Sequence, residues 1–180
     1  MATALKNLSE YTSSGFGDLS QTRIGIVVSE WNDQITNTLF QDAMETLLKE
    51  GVKQENIVVK TVPGSFELTI GAQHLLEEYN TYKKKSMFSP EWEKFSKEFY
   101  HSELDAVICL GCVIQGETRH FEFICEAVAN GITNVSIKYN KPVIFGVLTT
   151  DNLQQAIDRS GGRHGNKGVE AAVTALKMIR

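Results

Sequence analysis

Residues 105–130 have the sequence DAVICLGCVIQGETRHFEFICEAVAN, and this stretch decides the fold that we expect for the chain. Its first part, Ala106–Leu110, is a short apolar run of the kind that forms a strand covered on both faces of a sheet. Gly111 and Gly116 bracket the next segment, where glycine allows the backbone to bend or to approach a ligand closely. The stretch therefore predicts a buried strand, a loop and then a helix.

The helix of this stretch is predicted to have Thr118 as its N-cap and to end at Gly131. A loop that leads from a strand into a helix N-terminus is a natural anion site, because free N–H groups and the helix dipole point at it. His120, in the first turn, could transfer protons beside such an anion, but a surface histidine without a role fits the pattern equally well. Apolar spacing predicts that the buried face consists of Phe121, Ile124, Cys125 and Val128.

Composition excludes several classes of protein. With 180 residues, 42% of them hydrophobic, the chain has the size of one domain with a substantial core. Its net charge of −4 does not suggest a nucleic-acid partner, and no apolar run approaches the roughly 20 residues that span a bilayer. The N-terminal residues lack the apolar core of a signal peptide, and three cysteines suit a reducing compartment, so we expect a cytoplasmic protein.

Cys109 and Cys112 form a C-x-x-C motif, which has to be weighed against metal or redox chemistry. The sequence contains no second pair, and His120 lies outside the usual zinc spacing. If the strand continues through both cysteines, their odd separation sends them to opposite faces of the sheet. We therefore expect no metal at this motif.

Strand and helix patterns alternate along residues 23–180, which we assign to one domain after a flexible arm at residues 1–22. Four strand–helix repeats and a further C-terminal helix predict an α/β fold, in which a doubly wound, four-stranded parallel sheet has helices on both faces. Residues at about 79–102 interrupt the alternation and fit either an exposed helical insertion or a partner-binding flap. Besides Ala106–Leu110, the predicted strands are Arg23–Ser29, Asn56–Val62 and Lys141–Thr149.

Other local signals mark the ends of helices. Asn32 is a candidate N-cap for the first helix. Asp151 is a candidate cap for a later helix, with Gln154 at the position that returns the hydrogen bond. The glycine-rich residues 161–166 are expected to form a short link before a final helix that Lys167 opens.

Ligands of doubly wound sheets bind at the carboxyl ends of the strands. Trp31 follows the first predicted strand, where it can pack against the protein or stack on a flat heterocycle. Glu67 follows the second strand, where it can complement a helix dipole or hydrogen-bond a ligand. The residues predicted to converge at this edge, and so to form a ligand site, are Trp31, Ser65–Glu67, Cys112–Thr118 and His120.

Five motifs occur in order along the chain: TVPGSFEL (61–68), LGCVIQGETRHFEF (110–123), PVIFGVLTTDN (142–152), QAIDRSGG (155–162) and GNKGVEAA (165–172). Through them the chain resembles the 6,7-dimethyl-8-ribityllumazine synthase family over residues 23–180, apart from the insertion near 79–102. The resemblance implies a flavodoxin-like fold and a transferase of riboflavin biosynthesis that needs neither metal nor cofactor. Its reaction joins 5-amino-6-(D-ribitylamino)uracil to L-3,4-dihydroxy-2-butanone 4-phosphate and releases phosphate and water.

The resemblance also implies roles for single residues. Trp31 resembles the aromatic residue that stacks on the pyrimidine, where the family often has Phe, and His120 resembles the proton shuttle. The segment that holds the ribityl chain corresponds to Ser65, Phe66 and Glu67, and the pyrimidine slot corresponds to Cys112, Val113 and Ile114. The phosphate cradle corresponds to Glu117 and Thr118, and a neighbouring subunit would supply Phe145, Arg159 and Lys167.

Sites shared in this way imply a homopentamer, and the short link at 161–166 is compatible with a sixty-subunit shell of twelve pentamers. Riboflavin synthase is a further candidate partner. A non-catalytic flavin carrier on the same fold is an alternative, which would use Trp31 but would need neither His120 nor Arg159. A plain phosphate-binding module of flavodoxin type is a second alternative, and it would function as a monomer.

Overall fold

The computed structural model of the chain describes residues 7, 9–12, 15–86 and 103–179. Its main sheet contains four parallel strands: β1 (Ile24–Ser29), β2 (Ile57–Val62), β3 (Ala106–Ile114) and β4 (Val143–Thr150). They lie in the order β2-β1-β3-β4. All four predicted strands are therefore present, and all run in the predicted parallel direction.

Helices connect these strands and follow the last of them. The α-helices of the described ranges are α1 (Asp33–Lys49), α2 (Leu68–Ser86), α3 (His120–Tyr139), α4 (Leu153–Arg159) and α5 (Lys167–Met178). A two-stranded antiparallel hairpin, formed by β5 (Ser160–Gly162) and β6 (Gly165–Asn166), connects α4 to α5. The glycine-rich segment that was predicted as a link is thus an ordered hairpin.

Two separate hydrophobic clusters cover the two faces of the main sheet. On one face Ile26 and Leu110 pack with residues of α1, α4 and α5, and on the other Val27 and Cys109 pack with residues of α2 and α3. Alternate residues of a strand reach opposite faces, so the two central strands, β1 and β3, are apolar along almost their whole length. The predicted three-layer, flavodoxin-like fold is confirmed.

The strand order creates a crevice at one point of the sheet. From β1 the chain passes through α1 to β2 on one side, and α2 then crosses back over β1 to β3 on the other side. The connections therefore diverge between the carboxyl ends of β1 and β3. In open α/β sheets this divergence leaves a crevice in which ligands bind.

Strand β3 is longer than predicted, and Gly111 lies within it rather than in a turn. Gly111 pairs with Val147 of β4, and a Cβ atom on it would stand 2.6 Å from Ser65 Oγ and 2.8 Å from Leu68 Cδ1. Glycine is needed here because the segment after β2 packs directly on the backbone of β3. Glycine is favoured both in turns and where another segment packs closely on the backbone, so the sequence pattern did not distinguish the two cases.

Helix α3 does not end at Gly131 but continues to Tyr139, after which Asn140 adopts the left-handed conformation with φ 49°. A Cβ atom on Gly131 would stand 2.4 Å from Thr69 Oγ1, so this glycine allows α2 and α3 to pack closely. The helix begins at His120, and Thr118 is therefore not its N-cap. Of the four residues predicted for its buried face, Val128 is buried, and the other three are half-buried.

The predicted cap of α4 is wrong by one residue. Asn152 rather than Asp151 is the N-cap, and its side chain accepts a hydrogen bond from Gln155 N–H at 3.0 Å. The bond is returned by Gln155 rather than Gln154, because Gln155 Oε1 accepts from Asp151 N–H at 3.0 Å. The observed pair, Asn152 and Gln155, therefore lies one residue after the predicted pair, Asp151 and Gln154. Asp and Asn are about equally good N-caps, so the sequence does not distinguish the two positions.

The division of the chain into a flexible arm (1–22) and one domain (23–180) with an insertion at about 79–102 stays a prediction. Within the predicted arm, Leu19 is buried, and Ser9 and Tyr11 form hydrogen bonds with the body of the protein. At the insertion, α2 continues to Ser86, and residues 87–102 lie outside the described ranges. The choice between a helical insertion and a partner-binding flap therefore remains open.

The close packing at Gly111 makes a stability prediction. We expect Gly111→Ala to lower the free energy of unfolding by about 1–3 kcal/mol, because the added methyl group overpacks a buried contact with Ser65 and Leu68. Gly116→Ala is the matched control, since a Cβ atom there has no heavy atom within 4 Å. Thermal unfolding of both variants measures the effect, and equal midpoints for the two would contradict this packing.

Candidate active site

Trp31 and the segment after β2 form one unit at the carboxyl edge of the sheet. Trp31 N–H donates to the Pro63 carbonyl at 3.0 Å. A Cβ atom on Gly64 would stand 2.6 Å from Trp31 Cε3, so the indole ring rests on the Gly64 backbone. The residue nevertheless stays 65% exposed. Both functions predicted for Trp31 are therefore compatible, because one side of the ring packs and the remainder is open to a ligand.

Asn32 connects β1 to β3 across the crevice. Its φ of 60° is in the left-handed region, which asparagine tolerates better than most residues. Its Nδ2 donates to the Cys112 carbonyl at 2.9 Å. Asn32 occupies the N-cap position of α1, as predicted, but its side chain makes no capping bond there. This side chain therefore joins the carboxyl ends of β1 and β3 at the point where their connections diverge.

The segment Ser65–Glu67 is a single turn of 3₁₀ helix that is closed by its own hydrogen bonds. Glu67 Oε2 accepts from Gly64 N–H at 3.0 Å, and Glu67 N–H donates to the Gly64 carbonyl at 3.2 Å. One carboxylate oxygen of Glu67 thus supports the turn. Phe66 is 53% exposed, whereas Ser65 is buried against Gly111. The turn therefore packs on β3 through Ser65 and is open to solvent on the side of Phe66.

The backbone of Cys112 lies at the carboxyl edge of the sheet, whereas its side chain points into the core. The Cys112 thiol is in the cluster shared with α1 and α5, and the residue is only 3% exposed. We use the term rim for the residues at the carboxyl edge of the sheet, namely Trp31, Ser65–Glu67 and residues 112–120. Cys112 borders the rim through its backbone, while Val113 and Ile114 are half-buried. The loop that follows is exposed but anchored, because Gln115 N–H donates to the Thr150 carbonyl at 2.8 Å.

The exposed residues Glu117, Thr118 and His120 lie at the N-terminus of α3. Thr118 Oγ1 accepts from His120 N–H at 3.4 Å, which holds the loop against the first turn. Arg119 pairs with Glu122 at 3.2 Å in an exposed contact. Helix α3 has 20 residues, so its dipole and free N–H groups favour an anion at this end.

Three predicted site residues belong to elements that carry none of the rim residues. Phe145 is in the middle of β4, opposite Cys109 in register, and packs partly against the cluster formed with α2 and α3. Arg159 is the last residue of α4, and Lys167 is the first residue of α5, on the other side of the hairpin. We use the term outer group for Phe145, Arg159 and Lys167, which the fold separates from the elements that carry the rim.

A residue that the sequence prediction missed, Glu170, connects Arg159 and Lys167 of the outer group. Glu170 is only 7% exposed and binds both cations: its Oε1 lies 2.6 Å from Arg159 Nη2, and its Oε2 lies 3.2 Å from Lys167 Nζ. Arg159 Nη1 also donates to the His164 carbonyl at 2.5 Å. Two cations share one anion, so the cluster keeps an excess positive charge that could bind a phosphate group. The i, i+3 spacing of Lys167 and Glu170 was the available signal.

The two cysteines of the C-x-x-C motif face opposite sides of the sheet, as their spacing predicted for a continuous strand. Cys109 belongs to the cluster of α2 and α3, and Cys112 belongs to that of α1 and α5. Burial raises the pKa of Cys109 to about 12 and that of Cys112 to about 11. The thiolate form that binds metals or attacks electrophiles is therefore disfavoured at both.

No group of three or more His, Cys, Asp or Glu side chains in the described part of the chain is arranged to hold a metal ion. Among the helices described, none combines the length and apolar character that a membrane crossing requires.

Thiol reactivity checks the environment of the cysteines. At pH 8 we expect iodoacetamide to modify half-buried Cys125 first and Cys112 more slowly, because the buried thiol has a raised pKa and little access to solvent. Cys109, which is fully buried, is expected to react only after unfolding. Peptide mass mapping over time measures the order, and early labelling of Cys109 in the folded protein would contradict it.

The fold and the rim define a doubly wound α/β protein with a candidate site for a small molecule at the carboxyl ends of its strands. The family model described as 6,7-dimethyl-8-ribityllumazine synthase matches residues 21–87 and 91–180. The chain belongs to this family of enzymes. Of the segment predicted as an insertion at about 79–102, residues 79–87 and 91–102 fall inside the match, and residues 88–90 lie outside it.

Full-length relatives with the same name are similar along the chain. A 6,7-dimethyl-8-ribityllumazine synthase of Cytophaga hutchinsonii is 55% identical and one of Parabacteroides distasonis is 52% identical, each over 99% of this chain and 98% of the relative. One of Porphyromonas gingivalis is 47% identical over 99% of this chain and 96% of the relative. The similarity therefore covers the rim and the outer group together.

Proposed function

We propose that this chain is a transferase that condenses 5-amino-6-(D-ribitylamino)uracil with L-3,4-dihydroxy-2-butanone 4-phosphate to form 6,7-dimethyl-8-ribityllumazine. The observation that carries the proposal is the family match, which extends over the whole rim and the outer group. The three free cysteines agree with a reducing compartment, and we propose that the protein is cytoplasmic.

In this proposal the pyrimidine substrate lies between Trp31 and the backbone of β3. The exposed indole supports the assignment, because a flat heterocycle stacks well on an aromatic face. The ribityl chain would lie along Ser65–Glu67, where the 3₁₀ turn offers backbone groups and a carboxylate to its hydroxyls. The hydrogen bonds that already close the turn support such binding, because a preorganised site loses less entropy when the ligand binds.

We assign the proton transfers to His120 and the phosphate to the N-terminus of α3. Joining the 5-amino group to the ketone, eliminating phosphate and closing the ring each require proton transfers near neutral pH, for which imidazole is suited. Glu117 and Thr118 lie in the loop that leads into this helix, so they could present backbone N–H groups to the phosphate. Holding both substrates together would supply much of the acceleration.

We further propose that the active assembly is a homopentamer in which Phe145, Arg159 and Lys167 complete the site of the adjacent chain. Their placement on β4, α4 and α5, rather than on the elements that carry the rim of their own chain, supports this arrangement. Arg159 and Lys167 would add the excess positive charge of the outer group to the phosphate site. A head-to-tail contact of this kind closes into a ring at a fixed rotation for each subunit.

The activity itself is tested with purified protein and both substrates in the presence of a chelator. Lumazine should appear by its absorbance and fluorescence, faster than in the uncatalysed mixture. Native mass spectrometry should show a ring of about 100 kDa, given 20.1 kDa for each chain, or a shell built from such rings. A rate equal to the background would reject the transferase, and tight riboflavin binding without product would favour a flavin carrier instead.

For His120→Ala we predict a loss of turnover of roughly 10–10³-fold, because general acid–base catalysis contributes about 10²–10⁴-fold and buffer can replace part of it. His74→Ala is the matched control, because His74 is an exposed histidine of α2 outside the rim. Steady-state rates at pH 6–8 measure the effect. If both variants retain the wild-type rate across this range, His120 has no part in the proton transfers.

The shared site predicts complementation between two impaired variants. His120→Ala damages the rim, and Arg159→Glu damages the outer group. Mixed rings should contain some interfaces in which both groups are intact, so part of the activity should return. Mass spectrometry verifies co-assembly before the assay. Verified mixed rings without activity would reject the shared site, and unmixed samples of each variant provide the baseline.

A further inference from the structure

The N-terminal arm makes a specific contact with the hairpin that carries the outer group. Ser9 Oγ donates to the Asn166 carbonyl at 3.0 Å and accepts from Asn166 N–H at 2.5 Å. One hydroxyl therefore satisfies both backbone groups of a residue 157 positions away. Ser9 is itself held in a turn, because its N–H donates to Asn7 Oδ1 at 3.0 Å.

The hairpin is shaped to receive this arm. Gly165 has a φ of 80°, and a Cβ atom on it would collide with Asn7 Oδ1 and Ser9 Oγ. Asn166 is also the N-cap of α5, where its Oδ1 accepts from Gly168 N–H at 2.7 Å, and its Nδ2 donates to Asp42 Oδ2 at 2.6 Å. The arm thus binds the hairpin at the residue that joins it to α5 and α1.

A short path of contacts connects this point to the cations. His164, two residues before Asn166, accepts from Arg159 Nη1 through its carbonyl, and its N–H donates to the Asp158 carbonyl at 2.9 Å. Lys167 directly follows Asn166 and binds Glu170, which is also the partner of Arg159. Movement of the hairpin would therefore displace Arg159 and Lys167 together.

We propose that Ser9 is a positioning residue for phosphate: it clamps the hairpin through Asn166 and so holds Arg159 and Lys167 in the arrangement that binds the phosphate group. The inference rests on the proposed function, because that function places the two cations at the phosphate of the substrate. The clamp adds a contact from outside a short hairpin that contains Gly161 and Gly165, both with positive φ, where glycine leaves the backbone free to adopt other conformations.

The test compares Ser9→Ala with Tyr11→Phe in the assembled full-length protein. Tyr11→Phe is the matched control, since it removes another hydroxyl contact of the arm, to Glu50 Oε1 at 2.8 Å, but leaves the hairpin contact intact. Ser9→Ala should raise the KM for the phosphate substrate and the Kd for inorganic phosphate, measured by calorimetry, by about threefold to tenfold, the equivalent of one hydrogen bond. The kcat and the KM for the pyrimidine should not change, and hydrogen exchange at the Asn166 amide should accelerate.

The outcomes separate the inference from the proposed function. If no lumazine forms but Ser9→Ala still weakens inorganic phosphate selectively, the clamp stands, and the proposed reaction fails. If lumazine forms and Ser9→Ala leaves the KM and the phosphate Kd unchanged, the reaction stands, and the clamp is overturned. Equal effects of Ser9→Ala and Tyr11→Phe on all constants would also overturn it, because the arm would then act only on general stability.

Discussion

The hydrogen bond from the Asn32 amide to the Cys112 carbonyl is the interaction on which the rim depends. It joins the carboxyl ends of β1 and β3 at the crevice, where the connections from the two strands diverge. Trp31 precedes Asn32 and rests on Gly64, so the same contact fixes the indole relative to the segment after β2. The left-handed backbone of Asn32 is a local cost that this bond offsets.

The charged residues obey a different constraint. Glu170 is buried, and a buried carboxylate must be compensated, so Arg159 and Lys167 are held in place even without a ligand. Such preorganisation reduces the cost of ordering long cationic side chains when an anion arrives. The rim is held mainly by backbone geometry, whereas the outer group is held by paired charges.

Glycine was the residue type that the sequence analysis interpreted least well. Gly111 and Gly131 were taken as turn or stop signals, but both allow another element to pack closely on the backbone. Apolar periodicity performed better, because it correctly located all four main strands and the opposite faces of Cys109 and Cys112. Periodicity reports burial directly, whereas a glycine reports only that a side chain is excluded, without showing what excludes it.

The sequence by itself determined the α/β class, the parallel sheet and the edge at which Trp31, Glu67 and His120 lie. The alternation of strands with helices and the apolar pattern of each segment are local properties of the chain. Only the tertiary structure decided that Glu170 joins Arg159 to Lys167, that Ser9 meets Asn166, and that the Cys112 thiol is turned away from the rim. These contacts depend on how elements distant in sequence pack together. Packing is set by the shape and charge of both partners, which no single stretch of sequence contains.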